Sequence, residues 1–160
     1  MTKVDDYLLH LEKELMTGKG SWVADFTESF RDFTVNEILF AMIIRGNTRT
    51  KGVFLSKLFS YLTLPNYQVA CLVFNGGLVN QVDNQTLTAL LEAVKGYMKD
   101  NELKWAWLII AQAEGVSEKI KAMVSNLAIQ EIGVALVDIS SLEMTSSKGY
   151  LGRAISRYIK

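Results

Sequence analysis

From Val69 onward the chain alternates short apolar runs with capped amphipathic segments, and this rhythm constrains the fold more than any other feature. Residues 69–74 are continuously apolar and lead into Asn75-Gly76-Gly77, as expected of a strand buried on both faces. Asp83 then caps a predicted helix that carries Leu87, Leu90, Leu91, Val94 and Met98 at helical spacing. A second apolar run covers residues 105–111, and Ser117 caps a helix with Ile120, Met123, Val124 and Leu127. The third run covers residues 132–139, after which Leu151, Ala154, Ile155 and Tyr158 line a last helix. Strand and helix in strict alternation require crossover connections and a largely parallel sheet covered on both faces. The expected fold is α/β, a three-layer sandwich with a mainly parallel sheet, βαβαβα from about residue 69.

The first part of the chain reads differently. Val4, Tyr7, Leu8, Leu11 and Leu15 recur at helical spacing, with Asp5 and Asp6 in the first turn and Gly18 just past the end. Residues 21–26 form a short extended piece. In residues 33–44 apolar side chains fill most positions, so periodicity does not separate helix from strand. Thr34-Val35-Asn36-Glu37 has the form of a capping box, with Phe33 and Ile38 as a hydrophobic staple and Arg45-Gly46 as a stop. This predicts a helix over 35–45, with a strand as the alternative. A further helix is predicted over 51–62, with Phe54, Leu55, Leu58, Phe59 and Leu62 on one face and Pro65 at its exit. Residues 1–65 are thus expected to be mainly helical, and 66–160 to form the alternating core of one α/β domain spanning 1–160.

Composition narrows the chemistry. A chain of 160 residues, 49% hydrophobic and 21% charged, suits one globular core. Cys71 and His10 are the sole residues of their types, so an intramolecular disulfide and a cysteine–histidine zinc site are both excluded. No cofactor, no metal site and no catalytic set is therefore expected. The amino-terminal residues do not form a basic region leading into an apolar stretch, and no apolar run approaches the roughly 18 residues of a membrane span. A cytoplasmic location without membrane contact is expected. The 17 basic residues balance the 17 acidic ones, so any case for a polyanionic partner must come from local clusters.

In open parallel sheets ligands sit beyond the carboxyl ends of the strands. Those ends carry Asn75, Gly76 and Gly77, then Gln112 and Glu114, then Asp138, Ser140 and Ser141. They could line a polar pocket in which paired glycines let a ligand approach the backbone. Ordinary strand-to-helix turns use the same residues, and that plainer reading is favoured. Asn75-Gly76-Gly77 is not a dinucleotide fingerprint, and no phosphate-binding GxxxxGK[ST] occurs. Asp138, at the end of an otherwise apolar strand, could bind a metal or shift its pKa for proton transfer. A cap on the turn through Ser140 and Ser141 is the preferred role. Cys71, in mid-strand, reads as a buried inert thiol, and Trp105 and Trp107 as core.

Two basic clusters stand out. Arg45, Arg49, Lys51 and Lys57 surround the turn between the two predicted central helices, and Arg153, Arg157 and Lys160 form a stripe away from the apolar face of the last helix. Phosphate contact, including nucleic acid, is one reading; a solvated face with cations near a helix carboxyl end is the other. A helix-turn-helix is disfavoured, because the stretch around Val69 that would supply its recognition helix is too apolar to face DNA.

The stretch Trp105-Ala-Trp-Leu-Ile-Ile-Ala, the helix after it and Ile132-Gly-Val-Ala-Leu-Val-Asp-Ile-Ser-Ser-Leu142 resemble the tail of restriction-endonuclease-like domains, over roughly residues 83–142. That family's catalytic Asp followed by Glu-x-Lys lies on the strands before this tail. Residues 68–77 contain neither Glu nor Lys, so the resemblance implies a domain without that nuclease activity. The expected function is a non-catalytic interaction or regulatory module with a protein partner or a second copy. The alternatives are a nucleic-acid-associated protein and a small-molecule or metal-dependent enzyme working at the strand ends.

Overall fold

The computed structural model describes residues 2–48 and 68–159. Helix α1 (Lys3–Met16) starts at a capping box in which the Thr2 hydroxyl accepts from the Asp5 amide and the Asp5 carboxylate accepts from the Thr2 amide. A 3-10 turn (Lys19–Trp22) leads to β1 (Asp25–Val35) and β2 (Ile38–Asn47). Then come β3 (Gln68–Asn75), α2 (Asn84–Asp100), β4 (Trp105–Gln112), α3 (Glu118–Asn126), β5 (Ile132–Asp138), β6 (Glu143–Ser146) and α4 (Tyr150–Tyr158). The strands form one six-stranded sheet in the order β1-β2-β3-β4-β5-β6. Among the described residues no helix is long and apolar enough to cross a membrane.

The alternating second half is present as the sequence predicts, with α2 capped by Asp83 and α3 by Ser117. β3, β4 and β5 are parallel, with Val69 opposite Trp105 and Ala106 opposite Ile132. The sheet as a whole is mixed, which corrects the expectation of a mainly parallel one. β1, β2 and β3 pair antiparallel, and β6, which the sequence reading missed, pairs antiparallel with β5. β6 is four residues long and partly exposed, too short to show an alternating pattern.

The predicted helix over 35–45 is instead the hairpin tip and most of β2, so the described part of the N-terminal region is not mainly helical. Val35 pairs with Ile38, leaving Asn36 and Glu37 as a two-residue turn with φ of 46° and 65°. Two consecutive left-handed residues make the hairpin turn whose twist matches the strands it joins. The same four residues satisfy the capping-box pattern, and strand pairing overrode that local preference. Apolar residues at nearly every position suit β2 because Phe40, Met42, Ile43 and Ile44 are all fully buried between β1 and β3. The short extended piece placed at 21–26 is a 3-10 turn followed by the start of β1. The predicted helix over 51–62 lies outside the described residues.

Side chains of the central strands alternate between two apolar clusters, as a period of two requires. Ala70, Leu72, Phe74, Leu108, Ile110, Val134 and Leu136 join Leu87, Leu90 and Val94 of α2 and Ile120 and Val124 of α3. Cys71, Val73, Trp107, Ile109, Ala135 and Val137 join Leu8, Leu11 and Leu15 of α1 and Leu151, Ala154 and Ile155 of α4. Helix α4 approaches β5 backbone to backbone. A Cβ on Gly133 would lie 2.6 Å from the Leu151 carbonyl carbon and 2.9 Å from the Gly152 nitrogen, and one on Gly152 would collide with Ser147. Ser147 is itself buried and extends the sheet pairing, its hydroxyl accepting from the Val134 amide at 3.0 Å.

Two outcomes are expected from these local constraints. Glu37→Gly should raise stability by about 1 kcal/mol in urea melts, because glycine takes the left-handed conformation without steric cost. Gly133→Ala should lower it by roughly 2 kcal/mol, since the obstructing atoms are backbone and have no rotamer to escape into.

Candidate functional site

The parallel register sets the carboxyl ends of β3, β4 and β5 side by side, with Asn75 opposite Ala111 and Gln112 opposite Asp138. All six residues singled out for a ligand site, Asn75, Gly76, Gly77, Gln112, Asp138 and Ser140, thus gather at one end of the sheet. Their polar groups serve the turns that follow each strand. The Asn75 side-chain oxygen accepts from the Gly77 amide at 2.9 Å. The Gln112 amide group donates to the carbonyls of Glu114 at 2.9 Å and Gly115 at 3.4 Å. Asp138 accepts from the amides of Ser140 at 2.8 Å and Ser141 at 3.2 Å. The Ser140 hydroxyl donates to the Ala113 carbonyl, and the Ile139 amide to the Gln112 carbonyl at 2.8 Å, tying the two loops together. Gly76 is buried close to its neighbours, so that an added Cβ would lie 3.3 Å from the Ala111 carbonyl oxygen.

These hydrogen bonds explain the residue types without a ligand. Asn and Asp mimic a backbone acceptor two residues ahead, which stabilises a tight exit from a strand. Among the described residues no group of His, Cys, Asp or Glu is placed to hold a metal ion. Cys71 is fully buried among apolar side chains, and burial pushes its thiol well above the ordinary range. His10 is exposed on α1. Trp107 is fully buried with Trp105 beside it, ring centroids 5.3 Å apart, in the cluster that includes α1 and α4.

Arg45 lies on β2 and lines a shallow concavity with Tyr97 of α2. Burial raises the Tyr97 phenol above its ordinary value, and the Arg45 charge opposes that rise. Arg49 and Lys51 lie outside the described residues. Arg153 and Arg157 are exposed one turn apart on α4. Tyr150, which the sequence reading did not single out, is 80% exposed at the start of the same helix.

A feature not visible in the sequence is a groove of about 450 Å³ between α1, the β5–β6 turn and α4. Leu11, Val137 and Ile159 are its buried members, and Leu142 stands 72% exposed beside them in a left-handed backbone conformation with φ of 59°. These residues come from three segments far apart in the chain, so no local pattern could have grouped them.

The chain matches no protein-family model, no curated protein and no solved structure.

The turn at the end of β5 offers a direct check on Asp138. Asp138→Ala should cost about 1 kcal/mol of stability by losing two amide partners, whereas Asp138→Asn should retain most of it. Equal losses in urea melts for both variants would mean that the charge, not the acceptor geometry, matters at this position.

Proposed function

We propose that this chain is a non-catalytic interaction or regulatory module, a three-layer α/β domain that acts by holding a partner. One observation carries this reading. The strand ends, where an α/β enzyme would present its reactive groups, hold polar side chains already engaged by their own turns. A satisfied Asx-type turn has little to offer a substrate, because any new hydrogen bond must first break one that orders the loop. The partner is a protein, a second copy of the chain or nucleic acid, and the module needs no cofactor or metal for its work.

The likeness of residues 83–142 to the tail of restriction-endonuclease-like domains is compatible with this reading. Its support is the parallel β4–α3–β5 unit. In such a domain the catalytic carboxylates and lysine would come from the preceding strands; β2 and β3 contain no Asp, Glu or Lys, and β1 carries Asp25, Glu28 and Asp32 but no lysine. The kinship we propose is to a domain that binds without cutting.

Native mass spectrometry of the purified full chain tests the proposal. The expected spectrum shows an oligomer, a co-purified protein or a bound nucleic acid, and no stoichiometric small-molecule adduct. A bare monomer that neither self-associates nor takes up nucleic acid would sink it, as would a tightly held metabolite at the strand ends.

A further inference from the structure

We infer that the outward face of α4 is a binding surface for single-stranded nucleic acid, which it meets through Arg153, Arg157 and the ring of Tyr150. This rests on the reading of the chain as an interaction module and names the partner of one surface.

The helix divides cleanly. Leu151, Ala154 and Ile155 are buried in the core, and Gly152 is packed against Ser147. The exposed positions that remain are Tyr150, Arg153 and Arg157, spaced three and four residues apart and therefore on one face. Lys148 is exposed just ahead of the helix, and residues 144–160 contain no Asp or Glu in a chain whose total charge is zero. Among the described residues neither arginine nor Lys148 takes part in an ion pair.

Helix electrostatics account for only half of this pattern. Arg157 sits in the last turn, where the helix dipole favours a cation. Arg153 is the fourth residue of the helix, near its positive end, where a cation is disfavoured. The first turn contains no acidic residue and the N-cap, Gly149, supplies no side-chain acceptor. The amino end of α4 is thus left doubly positive, a condition that a phosphate group relieves. Arg157 lies over the Tyr158 ring at 5.7 Å, which holds its guanidinium along the helix surface.

Charge complementarity calls for a polyanion, and Tyr150 selects among polyanions. At 80% exposure its ring gains nothing from the core, but it is a stacking platform for an unpaired base beside two phosphate-binding arginines. An acidic peptide would use the arginines and leave the ring idle. An anionic membrane would need an apolar face to insert, and that of α4 is already committed to the core.

The test is fluorescence anisotropy of a labelled mixed-sequence DNA 12-mer with the full chain, at several salt concentrations. Wild type should bind with strong salt dependence. Arg153→Ala/Arg157→Ala should weaken binding at least tenfold and reduce the log–log salt slope by roughly 1.4, the value for two lost phosphate contacts to a single strand. Arg153→Lys/Arg157→Lys should retain most of the affinity. Tyr150→Ala should weaken binding roughly tenfold for any sequence, while Tyr150→Phe should not. Unchanged circular dichroism confirms folding, since all three positions are exposed. Full binding by the alanine double variant overturns the surface, and wild-type preference for poly-glutamate or for phosphatidylserine vesicles overturns the partner. In either of those outcomes, a complex in the native mass spectrum would leave the interaction module standing, so the two failures are distinguishable.

Discussion

The parallel pairing of β3, β4 and β5 is the interaction on which the rest of this structure depends. Seven consecutive residue pairs link β3 to β4 and seven link β4 to β5, and almost every side chain along these strands is buried. Backbone hydrogen bonds in such a setting lie out of reach of water, so breaking one leaves polar groups without a substitute partner. That makes the three strands a unit, to which β2 adds on one side and β6 on the other. Parallel strands also require long crossovers, and α2 and α3 supply them while covering part of the buried surface.

The same arrangement decides where polar chemistry can reside. Register places Asn75, Gln112 and Asp138 at one end of the sheet, but each strand must turn sharply there to enter its crossover or the β5–β6 turn. The polar side chains are consumed by that geometry. Surface away from the strand ends is freer to recognise a partner, and α4 is the element where burial and charge are most fully separated. Its apolar residues lock it to β5 through the close approach at Gly133 and Gly152, which leaves a rigid outward face of two arginines and a tyrosine.

Much of this was legible in residue order alone. The three buried strands announced themselves as unbroken apolar runs, and the caps Asp83 and Ser117 marked their helices, because local patterns report burial and helix starts directly. The turn role of Asp138 was visible too, in the serines that follow it. The hairpin was not. Thr34-Val35-Asn36-Glu37 satisfies a helix-start pattern, and only the left-handed backbone at Asn36 and Glu37 reveals a strand turn. Nor could residue order show that Arg45 shares a concavity with Tyr97, 52 positions further on.

The sequence by itself determined the α/β class, the parallel centre and the absence of a cysteine–histidine metal site, since these follow from periodicity and residue counts. Tertiary structure decided the rest. It made the sheet mixed, because the partner of β2 is chosen by which buried edge is available and not by local propensity. It assembled the groove beside Leu142 from segments that no local pattern connects. It also separated the exposed from the buried side of α4, leaving Tyr150 in solvent beside Arg153 and Arg157, since exposure belongs to the packed molecule and not to the residue.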